Sequence, residues 1–192
     1  MLLEIENFVG VIYYARFNHI INWENSRMKR LLIMRHAKSS WKDSDLTDHE
    51  RPLKKRGKND AHQMGKLLKS KKIVPDMIIC STAERAKETA ELLAEAMKYK
   101  NEIIYSDALY MAEPMDILNE IASHASKEKT VMVIGHNPGS EALVQILTGK
   151  VECLPTGSIA YVTAKMDDWK EIAKDDGLKL KNLWRPKDLK KK

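Results

Sequence analysis

Apolar positions in this chain form two kinds of run, and the two alternate. Leu31–Met34, Met77–Cys80 and Val131–Ile134 are short and continuously apolar, the pattern of strands buried on both faces. Between them, small and apolar residues recur every three or four positions, as one helix face requires. Pro52–Lys69 puts Gly57, Ala61, Met64 and Leu68 on such a face, and Ala83–Met97 does the same with Ala86, Ala90, Leu93 and Met97. Pro114–Ala125 offers Ile117, Leu118, Ile121 and Ala122, and Gly139–Leu147 offers Ala142, Leu143 and Ile146. Ile103–Tyr105 reads as a short edge strand, and Ile159–Ala164 and Leu178–Trp184 as strands near the sheet edge. Such alternation predicts an α/β fold with three layers, α/β/α, around a mainly parallel central sheet.

Met1–Arg27 has a different texture. It is rich in Ile, Tyr and Asn, has no clear period and carries no helix caps. The pattern restarts at Met28, where Lys29 and Arg30 lead into the first strand. Residues 1–27 are either an extension from an upstream start or an added helix packed on the domain. The expected organisation is this N-terminal extension followed by one domain over residues 28–192. A chain of 192 residues supports one full hydrophobic core.

A net charge of +6 favours acidic partners such as phosphates. It does not by itself indicate nucleic acid. Trp23, Trp41, Trp169 and Trp184 are dispersed rather than interleaved with a basic stretch, so a nucleic-acid partner is not expected. No apolar run approaches the roughly 20 residues of a membrane helix, and no membrane partner is expected. Glu4 and Glu6 precede the first apolar stretch, unlike a signal peptide. Cys80 and Cys153 lack C-x-x-C spacing and read as free thiols of a reducing compartment. The expected location is cytoplasmic.

Ligands of open α/β sheets bind beyond the carboxyl ends of the strands. Three of these ends share a chemical theme: Met34-Arg35-His36-Ala37, Cys80-Ser81-Thr82-Ala83-Glu84-Arg85, and Ile134-Gly135-His136-Asn137-Pro138-Gly139. Together they place two arginines and two histidines at one edge. Paired guanidiniums bind a phosphoryl group through bidentate, charge-assisted hydrogen bonds. A neutral histidine is a competent nucleophile toward phosphorus. A second histidine, protonated, can donate to the equatorial oxygens, and the helix starts that follow add N–H groups. Metal binding is the competing use of two histidines. The carboxylate and Cys ligands that zinc or magnesium would want are missing from the matching strand ends, so no metal or cofactor is expected. His19, His49, His62 and His124 are scattered and read as surface residues.

These motifs resemble the histidine phosphatase superfamily, with its phosphoglycerate mutase-like fold, and within it the SixA-type phosphohistidine phosphatases. Arg35-His36 is similar to the Arg-His-Gly signature, which implies that His36 is the phosphorylated nucleophile. By the same resemblance Arg85 is the second phosphate-binding arginine and His136 the second catalytic histidine. Arg51-Pro52-Leu53 resembles an Arg-Pro-Leu motif whose arginine also reaches the phosphate pocket. The likeness runs from Met28 to Arg185-Pro186-Lys187 near the C-terminus. There are departures. Ala37 stands where Gly is usual, and Lys42 where the mutase-like branch commonly has Asn, while Ser39 keeps that branch's Ser. Asp107 is the nearest analogue of that branch's acidic general acid.

The resemblance implies a two-step phosphatase without cofactor. Its partner would be a phosphorylated protein, phosphohistidine first, or a small phosphate ester. The intervals between the motifs leave no room for a lid domain, so an open pocket is expected. A small-molecule phosphatase or mutase on the same scaffold and a non-catalytic phosphate-binding module are the alternatives.

Overall fold

The computed structural model describes residues 28–174 and 177–189. The expectations for residues 1–27, including His19, lie outside the described residues. Strands β1 (Met28–Arg35), β2 (Met77–Ser81), β3 (Ile103–Ser106), β4 (Thr130–Gly135), β5 (Ile159–Lys165) and β6 (Lys179–Trp184) form one sheet in the order β3-β2-β4-β1-β5-β6. The first four in that order run parallel; β5 is antiparallel to β1 and β6 to β5.

Helices cover both faces, because the strand runs are apolar on both. Leu31 and Ile33 of β1 pack with residues of α3 (Pro114–His124) and α4 (Gly139–Thr148). Their neighbours Leu32 and Met34 point the other way and pack with α1 (Lys55–Ser70) and α2 (Glu84–Met97). The period-two alternation of a strand thus splits one apolar run between two cores. A short helix, α5 (Pro186–Leu189), follows β6. Among the described residues no helix is long and apolar enough to cross a membrane.

Two expectations need correcting. The first helix begins at Lys55, not Pro52. Residues 51–54 instead run beside the loop after β1: Ser39 bridges to Leu53, Ser40 N–H donates to the Pro52 carbonyl at 2.8 Å, and Lys54 N–H to the Lys38 carbonyl at 2.8 Å. That detour carries Arg51 to the end of β1. α4 buries Ser140, Leu143, Val144 and Leu147, leaving Ala142 half-buried and Ile146 exposed. Apolar residues at 143, 144 and 147 satisfy helical spacing as well as those at 142, 143 and 146, and contact with the sheet chooses between them.

Two glycines let the site-bearing segments close up. A Cβ on Gly57 would meet the Lys38 carbonyl oxygen at 2.3 Å, and one on Gly139 the Ala112 carbonyl oxygen at 2.0 Å. Both are far inside van der Waals contact, so only glycine lets α1 and α4 start against these loops.

Candidate active site

β1 and β4 pair with Arg35 opposite Gly135, so His36 and His136 leave the sheet at the same level. The His36 N–H continues the ladder to the Gly135 carbonyl at 2.9 Å. On the far side of β4, β2 ends at Ser81 and the chain turns into α2, which carries Arg85 in its first turn. The sheet order therefore gathers all three predicted strand ends.

His36 is nearly buried, and its Nδ1 lies 2.8 Å from the Ala37 carbonyl. A carbonyl can only accept, so Nδ1 carries the proton and Nε2 keeps its lone pair. Arg85 Nε–H donates to that Nε2 at 3.3 Å. Burial drives the His36 pKa down to about 4, helped by the charges of Arg85, Arg35 and Arg51 and opposed by the Ala37 hydrogen bond. The His136 ring centroid is 5.1 Å away. Arg85 Nη2–H donates to His136 Nδ1 at 3.3 Å, and His136 Nε2–H donates to Ser81 Oγ at 2.8 Å. Burial, then His36 and Arg85, lower the His136 pKa to about 3. Against the expectation of a protonated second histidine, both rings are neutral, because burial and the neighbouring cations oppose charging.

Arg51 does reach the site. It is buried, donates from Nη2 to Ser39 Oγ at 2.7 Å and from Nε to the Ser40 carbonyl at 2.9 Å, and stacks on the exposed Trp41 ring at 3.1 Å. Arg35 donates to the Leu154 carbonyl at 2.9 Å, while its buried Nε has no partner among the described residues. Burial lowers the Arg35 pKa, and Glu141 offsets part of this. The buried Ala37 N–H is held by Thr89 Oγ1 at 3.0 Å. Its Cβ packs in a small apolar cluster with Leu53 and Ala61, so alanine fits where Gly is usual.

Asp48 and Tyr110 were not foreseen as site residues. Asp48 Oδ1 pairs with Arg51 Nη1 at 2.5 Å, and Oδ2 accepts from Arg85 Nη2 and Tyr110 OH, both at 2.9 Å. Burial would raise the Asp48 pKa, but hydrogen bonds from Arg51 and Tyr110 and the Arg85 charge hold it at about 2. The one available signal was its spacing three residues before Arg51. Asp107 is exposed and lies outside the cleft lining, where it accepts a hydrogen bond from Thr82. His49 is half-buried rather than a plain surface residue: its Nε2 is 3.0 Å from Thr82 Oγ1, and its ring meets the Tyr110 ring edge-on at 4.9 Å.

The resulting cleft holds roughly 270 Å³ and is lined by Arg35, His36, Lys38, Arg51, Arg85 and His136, with Asp48, Trp41 and Met111 also on its walls. It is small beside pockets that enclose drug-sized ligands. Its cations suit a tetrahedral oxyanion, and His36 Nε2 supplies a lone pair for in-line attack on phosphorus. Among the described residues no group of three His, Cys, Asp or Glu side chains could hold a metal ion.

Known proteins agree with this chemistry. The profile of the histidine phosphatase superfamily (branch 1) matches residues 31–110. An uncharacterized chloroplastic protein of Arabidopsis thaliana is 34% identical over 170 residues, spanning 82% of this chain and 78% of that protein. A solved structure described as a phosphohistidine phosphatase SixA, from Nakamurella multipartitia, superposes with a TM-score of 0.74 at 26% identity, covering 83% of this chain and 96% of that one. Another so described, from Agrobacterium tumefaciens, gives 0.69 at 27% identity, covering 82% and 99%. The phosphoglycerate mutase-like architecture and the strand-end motifs thus lead to one conclusion: this chain belongs to the histidine phosphatase superfamily.

Proposed function

We propose that the protein is a metal-independent phosphatase that carries the phosphoryl group on His36 Nε2 and takes it from phosphohistidine on another protein. The observation that carries this reading is the fixed tautomer of His36, with Nδ1 tied to Ala37 and Nε2 free to attack beside Arg85. Arg35, Arg51 and Arg85 hold the phosphoryl oxygens. His136 takes up a proton as the dianion enters and joins them. Water then attacks from the leaving-group side and frees His36.

Two features support phosphohistidine over an ester. The cleft is small and bordered by the exposed Trp41 and Met111, a surface on which a protein can sit. Neither candidate carboxylic acid is a good proton donor for an alkoxide: Asp48 is ionised and Asp107 is outside the lining. An alkyl phosphate needs such an acid, whereas the nitrogen of a phosphoramidate accepts its proton readily. The test compares a phosphohistidine-bearing protein, phosphoserine and phosphotyrosine peptides, and sugar phosphates. The expected result is a kcat/KM higher on phosphohistidine by roughly two orders of magnitude or more. A sugar phosphate as best substrate would replace this reading with a small-molecule phosphatase.

A further inference from the structure

A phosphate pocket built from cations has one member of the wrong sign. Asp48 is the lone carboxylate among the described residues lining the cleft, which otherwise offers Arg35, Lys38, Arg51 and Arg85. A carboxylate beside an incoming dianion costs binding energy through like-charge repulsion. Alignment of Arg51 and Arg85 is one use for it. Alignment alone does not call for exposure, yet the Asp48 side chain is 42% exposed, against 8% for Arg51 and 4% for Arg85. Its two oxygens offer about four acceptor positions. Arg51, Arg85 and Tyr110 fill three of them, and one remains.

His36 attacks from the buried side of the cleft, so the leaving group departs in line toward solvent, and Asp48 is the exposed carboxylate in the lining that can meet it. We propose that Asp48 is a specificity-determining residue: its carboxylate accepts the ring N–H of a protonated phosphohistidine and so selects a substrate whose ring is cationic before it leaves. The inference rests on the phosphohistidine reading above.

The step balances. The substrate ring arrives protonated on the nitrogen that does not bear phosphorus. The His36 Nε2 lone pair forms the new P–N bond as the old P–N bond breaks. Its electron pair stays on the departing nitrogen, and the ring leaves as neutral imidazole with its N–H intact. His36 becomes a phosphoimidazolium whose Nδ1–H stays on the Ala37 carbonyl. Positive charge moves from one ring to the other, and an acceptor stands at each: Asp48 for the substrate ring, the Ala37 carbonyl for His36. An ester has the opposite need. Its leaving oxygen gains negative charge, which an ionised carboxylate repels and cannot protonate. Asp48 is held in its ionised form by its three donors, so it acts in both directions at the pH where the substrate ring is protonated.

The experiment uses the full chain, wild type and Asp48→Asn, on a phosphohistidine-bearing protein and on p-nitrophenyl phosphate, with inhibition by inorganic phosphate as a reading of the arginines. The expected result is a fall in kcat/KM of roughly a hundredfold on phosphohistidine and less than about tenfold on the aryl ester. In wild type, kcat/KM on phosphohistidine should also decline as pH rises through the substrate ring pKa, and this decline should weaken in the variant. Asp48→Glu, which keeps the charge, should keep the preference for phosphohistidine. Equal losses on both substrates, together with weakened phosphate inhibition, would reduce Asp48 to a positioning residue for the arginines and overturn the proposal. A wild-type preference for the ester would instead refute the phosphohistidine reading itself, and this proposal with it.

Discussion

Arg85 Nε–H lies 3.3 Å from His36 Nε2, directed at the lone pair that would attack phosphorus in the proposed mechanism. The same guanidinium donates to His136 and Asp48, so it is occupied before any substrate arrives. Phosphoryl oxygens are stronger acceptors than a neutral imidazole. In the proposed mechanism their arrival would draw the guanidinium off His36 and free its Nε2.

Arg85→Lys should therefore lower kcat/KM by roughly 10²- to 10³-fold, because an ammonium lacks the planar fork that reaches both histidines and the phosphoryl group. Steady-state kinetics on any hydrolysed phosphate would check this. A loss below tenfold would show that Arg85 is not a phosphate ligand.

His36→Ala should reduce turnover by on the order of 10⁴ or more while the fold survives, since the ring sits at a strand end rather than in either apolar cluster. The melting curve by circular dichroism tests the second half. Acid-labile phosphate trapped on wild-type His36 tests the first. Retained turnover in the variant would remove the nucleophile assignment.

Activity is expected to survive EDTA. Lys38 and three arginines line the cleft and repel a divalent cation, and the neutral imidazole positions are already engaged by Arg85. Loss of turnover on chelation, restored by one particular divalent ion, would move the protein into another enzyme class.

A chain starting at Met28 should fold and keep turnover. From Met28 onward β1 pairs with β5, and from Arg30 with β4, so both of these ladders form within residues 28–165. The melting temperature should stay within about 3 °C, a change of roughly 1 kcal/mol for a domain of this size. Insolubility or inactivity would assign residues 1–27 to the domain.

The residues of the site were legible in unequal measure. His36, Arg85 and His136 follow apolar runs that can only be interior strands, and parallel strands end at one edge. Their meeting therefore follows from topology. Arg51 needed the resemblance, because it sits in a loop whose course depends on the Ser39–Leu53 bridge. Asp48 stayed hidden among Asp43, Asp45 and Glu50, acidic neighbours that look alike until the fold brings Arg85 and Tyr110 to one of them. The neutrality of His136 was also out of reach, since it depends on burial and on the cations gathered around it.

The two histidines make the pH response calculable in sign. Both have folded-state pKa values near 4 and 3, well below the ordinary 6.5. Unfolding exposes rings that bind protons more readily, so acid favours the unfolded chain. Stability from this source is complete above pH 6.5, declines as pH falls toward 4, and is largely lost by pH 3. Asp48 acts in the same direction lower down, between its ordinary 3.8 and about 2. A drop on the order of 3–6 kcal/mol is expected from the histidines between pH 7 and 4, at roughly 1.4 kcal/mol per unit of pKa. Urea melts across that range measure it. Nitrogen-15 spectra of the rings give a second check. His36 should remain protonated on Nδ1 alone, and His136 on Nε2 alone, down to about pH 5 in the free protein. Adding vanadate, an oxyanion that takes the phosphoryl position, should raise the His136 pKa by two units or more, since a dianion beside the ring favours its charged form. A ring that already titrates near 6.5 without ligand would contradict the crowding of cations around it, and with it the role of His136 as a proton acceptor that responds to the phosphoryl group.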